Sequence, residues 1–301
     1  MQPHPWYEDA QLLRTLPLHL SVYGAYLRRM IDPETQLARG GSFLLRRMQD
    51  LIRWRGLPRE QAFRVDGLTV HVDLLDNRWL WVLGELQGRG AEAQLIERTL
   101  GPGGMMLDIG ANHGSYTLLA GRRVGPTGRV VAFEPQPLLA RLLRQSLASN
   151  GMRQGTVHEL ALGEQAGAST FFIPAAGSGS GGLHAAFSAQ GRHERLEVRV
   201  ARLDELLPEP IPRENALVKM DCEGGELGAL RGGRRALSSL PPLLLELNAQ
   251  AATAAGSSLA ELRDELQTIG YRHCAELSAP SRSEPLATLP LQPLRNVVVL
   301  A

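Results

Sequence analysis

Short apolar runs alternate with amphipathic segments along most of the chain after residue 100. The apolar runs predict β-strands at 105–109, 130–134, 156–160, 216–221, 243–248, 271–276 and 295–300. Segments with apolar residues at helical spacing predict helices at 115–123, 137–149, 226–237 and 259–269. Strands that alternate with helices typically form a mostly parallel sheet with helices on both faces, so the pattern predicts an α/β fold.

Two further segments fit this alternation less well. Ser169–Ile173 and Leu196–Arg202 alternate polar and apolar residues, which predicts an added antiparallel hairpin. The segment between them, Pro174–Arg195, is rich in Gly, Ser and Ala. A loop longer than ~15 residues in a compact domain usually has a binding or covering role unless it is disordered. We expect this loop to act as a substrate lid.

The N-terminal part of the chain has a different pattern. Residues 1–60 indicate a helical N-terminal extension, and residues 61–301 the main domain. Ser42–Trp54 is amphipathic and basic at helical period, so we expect it to cap the main domain or to contact a second subunit in a homo-oligomer. Phe63–Asp73 predicts a hairpin, and Asn77–Leu100 predicts one helix.

Composition limits the class of protein. A chain of 301 residues with 44% hydrophobic content is long enough for one large α/β domain with an extension. The net charge of +1 gives no global reason to expect nucleic acid or an anionic membrane as a partner. The two cysteines, Cys222 and Cys274, are too few for a disulfide framework and lack metal-ligand spacing. With no long apolar run, we expect a soluble cytoplasmic protein without stable membrane insertion.

A glycine turn carries the clearest chemical signal. The predicted strand 105–109 ends in a segment containing Asp108, Gly110 and Gly114, and a predicted helix follows at once. The glycines allow a ligand to approach the backbone closely. The next strand ends in Glu134, where a carboxylate can accept hydrogen bonds from both hydroxyls of a ribose. Together these features indicate a nucleoside pocket.

The composition of the turn favours one nucleoside over another. Dinucleotide-binding turns place a pyrophosphate on the G-x-G-x-x-G pattern, whereas the glycines here form G-x-x-x-G with Asp108 just before them. A carboxylate at that place repels phosphate and suits the ammonium group of an amino acid. The turn therefore favours S-adenosylmethionine over NAD. The alternative is an ordinary βα turn whose glycines serve only its tightness.

Acidic residues stand at or near the ends of five predicted strands. They are Asp108, Glu134, Glu159, Asp221 and Glu246, and Asn248 follows the last of them. Because the carboxyl ends of parallel strands share one edge of a sheet, such a row marks a functional cleft. The only lysine among the 32 basic residues, Lys219, precedes Asp221 by two positions. Lysine is a compact charge on a flexible side chain, whereas arginine is a planar fork, so the two are not interchangeable in a crowded site. We therefore interpret Lys219 as functional.

The ordered succession of motifs resembles the FkbM family of S-adenosylmethionine-dependent methyltransferases. The resemblance rests on Asp108–Thr117, Phe133–Pro135, Leu203–Leu206, Lys219–Glu226 and Pro242–Glu246. It covers about Asp108–Asn248 and not the first hundred residues. It implies a Rossmann-like sheet of seven strands, the last antiparallel, and methyl transfer to a hydroxyl oxygen. The implied acceptor is a hydroxylated small molecule such as a sugar or a secondary metabolite.

The resemblance also implies roles for individual residues. Asp108, Gly110, Asn112 and Gly114 would hold the methionine part of the cofactor, and Glu134 would hold the ribose. Lys219–Glu226 would form the floor that faces the acceptor. The remaining predicted cofactor residues are Ser115, Pro135 and Glu159.

A hydroxyl acceptor must lose a proton, and a general base contributes ~10²–10⁴-fold to such a step. The predicted catalytic residues are Asp221, Glu223, Glu246, His113 and Lys219, and the sequence does not rank the bases among them. His113 has a second interpretation as a helix-start residue that packs beside the cofactor.

Three alternatives stay open at this point. Asp221, Glu246 and Asn248 would form an all-oxygen ligand set suited to Mg²⁺. A nicotinamide-dependent oxidoreductase is disfavoured by the turn and by the lack of a Tyr-x-x-x-Lys pair. A catalytically inactive protein that only binds S-adenosylmethionine has the same motifs.

Overall fold

The computed structural model describes residues 38–174, 181–183, 193–288 and 294–301. The strands are β1 (Glu60–Val65), β2 (Leu68–Asp73), β3 (Met105–Ile109), β4 (Arg129–Phe133), β5 (Gly155–His158), β6 (Ala161–Leu162), β7 (Gly167–Pro174), β8 (His193–Ala201), β9 (Ala216–Met220), β10 (Leu243–Asn248), β11 (His273–Glu276), β12 (Glu284–Pro285) and β13 (Leu294–Leu300). The helices are α1 (Ala38–Arg55), α2 (Trp79–Glu85), α3 (Ala91–Thr99), α4 (Ser115–Val124), α5 (Pro137–Ser149), α6 (Leu203–Leu206), α7 (Glu226–Gly232), α8 (Ala249–Ala254) and α9 (Leu259–Ile269), with a 3₁₀ turn at Leu286–Thr288.

The central sheet has eight strands in the order β12-β11-β13-β10-β9-β3-β4-β5. Neighbouring strands from β10 to β5 are parallel, whereas β13 runs antiparallel to both β10 and β11. The predicted Rossmann-like sheet is confirmed, and the two-residue β12 adds an eighth strand at its edge. The chain passes from β3 to β4 on one side and later reaches β9 on the other. A ligand crevice is expected at this reversal, outside the carboxyl ends of the strands.

The two faces of the sheet are covered by separate apolar clusters. Along β3, Met106 belongs to one cluster and Leu107 to the other, because successive strand residues point to opposite faces. Val130 and Val131 of β4 divide in the same way. All four side chains have no exposed surface. Burial on both faces explains why these strands are continuous apolar runs, and it fixes the strand tips as the accessible edge.

Both predicted hairpins are confirmed. β1 and β2 pair antiparallel around Asp66 and Gly67, whose φ angles of 47° and 80° are those of a tight turn. β7 and β8 pair antiparallel, and β6 joins β8 to complete a small three-stranded sheet. Most of the predicted lid, residues 175–180 and 184–192, lies outside the described residues. Within it, Gly182 forms an isolated bridge with Phe172.

Two helix predictions were wrong in length. The single helix expected at Asn77–Leu100 is divided into α2 and α3, because Gly88 adopts a left-handed φ of 72° between them. The helix expected at 226–237 ends at Gly232. There the N–H of Gly233 donates to the carbonyl of Leu230, three residues back, and turns replace the regular helix.

The N-terminal helix α1 shares an apolar cluster with the β1–β2 hairpin. Its Met48 and Ile52 are buried in the same cluster as Phe63. The amide of Gln49 donates to the Leu75 carbonyl at 3.1 Å and thereby fastens α1 to the segment that leads into α2. Residues 1–37 lie outside the described part, so the division at residue 60 and the homo-oligomer contact stay predictions. No helix in the described ranges has the length and apolar character needed to cross a bilayer.

Candidate active site

A cavity of about 680 Å³ lies at the carboxyl ends of the central strands. The tips of β3, β4, β9 and β10 form its floor, and α2 and α3 contribute to its wall. Gly181 and Leu183 line it as well, so the described part of the predicted lid reaches the site. The volume is typical of small-molecule sites. The crevice expected from the strand order is therefore present as a cavity.

Both glycines of the turn are required by packing. Gly110 has a φ of 80°, and a Cβ built there would lie 2.0 Å from the carbonyl oxygen of Asp221. Gly114 has a φ of 85°, and its Cβ would lie 2.1 Å from Leu143 Cδ1 of α5. Gly110 lines the cavity, whereas the close approach at Gly114 is to α5. Any other residue would therefore be strained at either position.

Glu134 is buried at the tip of β4 and lines the cavity. Its carboxylate accepts hydrogen bonds from the backbone N–H groups of Asn112 at 2.7 Å and Gln136 at 2.9 Å. Burial raises the pKa of Glu134 to about 7, although these two N–H groups favour the ionised form. The glycine turn and Glu134, which were predicted to bind the same nucleoside, are thus joined by a hydrogen bond. Pro135 follows and also lines the cavity.

His113 is completely buried behind the turn. Its Nδ1 lies 2.7 Å from Asn112 Oδ1, and its Nε2 lies 3.4 Å from the backbone nitrogen of Asp73. Both nitrogens are satisfied when Nδ1 carries the proton and Nε2 accepts one from Asp73. Burial lowers the pKa of His113 to about 4, so the ring is neutral at physiological pH. These contacts support the packing interpretation of His113 over the general-base interpretation.

Lys219 lines the cavity and lies between two carboxylates. Its Nζ is 3.2 Å from Asp221 Oδ2 and 3.7 Å from Asp108 Oδ1. It also lies 5.6 Å from the ring centroid of Tyr116. Burial disfavours its charge, but the carboxylates of Asp221 and Asp108 raise the pKa of Lys219 above its usual value. The only lysine of the chain is therefore a buried cation at the centre of the site.

Asp108 itself is buried and does not line the cavity. Its Oδ2 accepts a hydrogen bond from Thr117 at 2.6 Å, while its Oδ1 faces Lys219. Glu159 also stands apart, because its carboxylate pairs with Arg144 at 2.9 Å and is absent from the cavity lining. The roles predicted for Asp108 and Glu159 in cofactor binding stay predictions.

Three carboxyl groups converge where β9 and β10 end. Ligand atoms of Asp221, Glu223 and Glu246 all lie within 4.8 Å of one another. Burial tends to raise the pKa of Asp221, but the charge of Lys219 lowers it below its usual value. Burial and the charge of Asp221 raise the pKa of Glu246. The lysine therefore holds one carboxylate ionised, and that carboxylate favours the protonated form of its neighbour.

Glu223 is the most unusual of the three acids. It adopts a left-handed φ of 51°, which is uncommon for a residue with a side chain. Its Oε2 is buried, and it has no hydrogen-bond partner within the part of the chain that the structure describes. Burial and the charge of Asp221 raise the pKa of Glu223 to about 8. Backbone strain and an unsatisfied buried oxygen commonly mark functional sites.

The side chains that could bind a metal ion differ from the predicted set in one residue. The side-chain oxygen of Asn248 accepts hydrogen bonds from the N–H groups of Gln250 and Ala251 and caps α8. The acid that joins Asp221 and Glu246 is Glu223. Asp221 already has Lys219 as a cationic partner. Binding of Mg²⁺ at this cluster stays an untested alternative.

Several lining residues were not predicted from the sequence. They are Arg78, which precedes α2, Trp81 and Glu85 of α2, Glu92 of α3 and Asn296 of β13. Ser115, a predicted cofactor residue, donates its hydroxyl hydrogen bond to Glu85. Asn296 donates to Glu92 at 3.1 Å. These residues stand in no recognisable motif: α2 and α3 bring the first four to the site, and Asn296 reaches it on β13, opposite Glu246.

Comparison with known proteins identifies several similar proteins. The hexuronic acid methyltransferase AglP of Haloferax volcanii is 26% identical over 172 residues, which cover 56% of this chain and 66% of AglP. The structure of methyltransferase FkbM from Methylobacillus flagellatus KT matches with a TM-score of 0.41 and 20% identity, over 75% of this chain and 55% of that one. Aeropyrum pernix fibrillarin, solved with bound S-adenosyl-L-methionine, matches with a TM-score of 0.42 and 15% identity, over 80% of this chain and 82% of that one. This chain spans less than two thirds of the full length of the first two.

The profile of the methyltransferase FkbM domain matches residues 108–273. This range is more than half of the 301 residues and contains the glycine turn, Glu134 and the three converging acids. The resemblance drawn from the motifs is thereby confirmed. The chain belongs to the FkbM family of methyltransferases.

Proposed function

We propose that this protein transfers the methyl group of S-adenosylmethionine to a hydroxyl oxygen of an uncharged, polyhydroxylated small molecule. The observation that carries the proposal is the position of Glu134. Its buried carboxylate lines the cavity and is bonded to the backbone N–H of Asn112 in the adjacent turn. A fixed carboxylate beside a glycine turn can accept hydrogen bonds from both hydroxyls of a ribose.

Cofactor affinity is expected to depend on pH through Glu134. Ribose hydroxyls donate to the ionised carboxylate, and the pKa of Glu134 in the free protein is raised to about 7. The affinity for S-adenosylhomocysteine should therefore rise as the pH increases from about 6 to about 8, since less work is needed to ionise the carboxyl group. Calorimetric titration across this range measures the effect. A Glu134→Gln variant should bind more weakly and show a flat profile; an unchanged profile in this variant would exclude Glu134 as the titrating group.

The charges that line the cavity favour an uncharged acceptor. The two described cations that line the cavity, Arg78 and Lys219, are each paired with carboxylates. Glu92, Glu223 and Glu246 add acidic groups to the same lining. Carboxyl groups exchange hydrogen bonds with hydroxyls, and because both cations are offset by carboxylates, the described lining offers no excess positive charge to an anionic acceptor. The hexuronic acid named for AglP is anionic, so we infer a different acceptor charge for this chain.

Glu223 is the group best suited to remove the acceptor proton. S-adenosylmethionine would supply a sulfonium methyl group for in-line displacement, so the protein mainly aligns two reactants. A base works best when its pKa lies near the operating pH, and the pKa of Glu223 is raised to about 8. The ion pair with Lys219 makes Asp221 a weaker base. We therefore propose that Glu223 accepts the hydroxyl proton and that Lys219 and Asp221 set its electrostatic surroundings.

A labelled-methyl transfer assay tests the proposed reaction. The acceptor panel should contain neutral sugars and polyols, amino sugars and hexuronic acids, each with and without EDTA. We expect label in neutral hydroxylated acceptors, little in hexuronic acids, and no loss with EDTA because Lys219 already balances Asp221. Preferential labelling of hexuronic acids would refute the proposal of an uncharged acceptor. Loss of activity with EDTA would favour the metal alternative. Cofactor binding without transfer to any panel member would favour the non-catalytic alternative.

A further inference from the structure

Arg78 and Glu85 form an ion pair at the cavity wall, outside the residues matched by the family profile. Arg78 Nη2 lies 2.8 Å from Glu85 Oε1, and their side chains are 26% and 15% exposed. Arg78 immediately precedes α2 and Glu85 ends it, so this short helix presents both charges to one place. A guanidinium has five N–H donors and a carboxylate has about four acceptor sites, so each partner can bind a further group.

The pair lies beside the first residue of α4. Glu85 accepts the hydroxyl hydrogen bond of Ser115, directly after the glycine turn. Burial disfavours the charge of Arg78, but the carboxylates of Glu85 and Asp221 raise its pKa above the usual value. The pair is therefore located over the turn that follows β3, on the side of the tip of β9.

This location fits one end of an elongated cofactor. On the proposed function, Glu134 fixes the ribose at the tip of β4. The apolar side chains of Leu160 and Leu162 line the cavity beyond it, and they suit a purine ring. The amino-acid end must then extend the other way, over the turn and toward α2. A methionine moiety carries a carboxylate and an ammonium, the charges complementary to an arginine and a glutamate.

We propose that Arg78 binds the carboxylate and Glu85 the ammonium of the methionine end of S-adenosylmethionine. This inference rests on the proposed function and assigns a binding role that the sequence motifs had given to Asp108. The carboxylate of Asp108 is buried beside Lys219 and Thr117 and does not line the cavity, whereas that of Glu85 does. The segment holding α2 is thus part of the cofactor site. Gln49 of α1 supports it through its hydrogen bond to Asn77 at 3.0 Å.

The test compares two ligands on the full chain. S-adenosylhomocysteine carries the amino-acid end, whereas 5′-methylthioadenosine keeps the nucleoside and the thioether but lacks that end. We expect Arg78→Met to weaken the binding of S-adenosylhomocysteine about 10- to 100-fold, the range for charge-assisted hydrogen bonds. The affinity for 5′-methylthioadenosine should stay unchanged. Glu85→Gln should act in the same direction. Arg141→Met removes an exposed arginine paired with Glu60 and serves as the matched control.

A measurement on the unmodified protein covers the case in which Arg78→Met does not fold. Wild-type protein should bind S-adenosylhomocysteine about 10- to 100-fold more tightly than its decarboxylated analogue, the same factor as for Arg78→Met. Equal affinity for these two ligands would overturn the role of Arg78. Equal weakening of both nucleosides by Arg78→Met would do the same, since it would indicate a structural role. Absence of binding of every adenosyl ligand by wild-type protein would refute the proposed function itself.

Discussion

Replacing Glu223 with glutamine is expected to lower kcat by about 10²–10⁴-fold, the usual contribution of a general base. Glutamine has nearly the same shape as glutamate but cannot accept the acceptor's proton. In the wild-type protein kcat should rise as the pH increases through about 8, because the ionised fraction of Glu223 rises with it. This ascending limb should disappear in the variant. Steady-state kinetics across pH, with the acceptor found in the transfer assay, measure both effects.

Cofactor binding separates this role from a structural one. Glu223→Gln should keep the affinity for S-adenosylhomocysteine within about twofold, because the proposed cofactor contacts lie at Glu134 and α2 rather than at Glu223. Glu97→Gln is the matched control, since Glu97 pairs with Arg123 on the exposed surface and does not line the cavity. If Glu223→Gln retained full kcat with an unchanged pH profile, the proton would be removed by another group.

Replacing Lys219 with methionine is expected to cost about 3–5 kcal/mol in the free energy of unfolding. The side chain is 7% exposed, and its removal leaves Asp108 and Asp221 without their shared cation. Uncompensated carboxylates in a buried cluster are costly, and the pKa of Asp221, which Lys219 lowers, should rise in the variant. Chemical denaturation measures the loss of stability. The loss should shrink as the pH falls, because protonation of Asp221 then removes its uncompensated charge.

An exposed ion pair provides the control for Lys219. Arg122 lies on α4 and contacts Asp66 at 2.9 Å, with side chains 38% and 60% exposed. Arg122→Met should cost only ~0–1 kcal/mol, as surface pairs do. A similar small cost for Lys219→Met would show that the lysine does not neutralise the buried acids. A second variant, Lys219→Met with Asp108→Asn, should recover part of the lost stability.

Much of the central sheet could be predicted because its strands are buried on both faces. Such strands are uninterrupted apolar runs, and β3 and β10 begin and end where the pattern indicated. The division of residues 77–100 into two helices was missed although Gln87-Gly88-Arg89-Gly90 interrupts the apolar spacing. The positive φ of Gly88 ends the first helix there.

The site was predictable where one short segment contains the chemistry. The turn at Gly110 and the acid Glu134 follow their strands directly, and parallel strands bring their tips together. Arg78 and Glu85 could not be found in this way, because their place in the cavity lining depends on how α2 folds over the sheet. His113 had two interpretations in the sequence, as a base and as a packing residue. The contacts of its buried ring with Asn112 and Asp73 favour the second.

The most direct measurement is a calorimetric titration of the wild-type protein with S-adenosylhomocysteine and, in parallel, with NAD. If Glu134 and the neighbouring turn form an S-adenosylmethionine site, the first ligand should give saturable binding and the second should give no measurable heat. Binding of NAD without binding of S-adenosylhomocysteine would contradict the assignment of this crevice to a methyl donor.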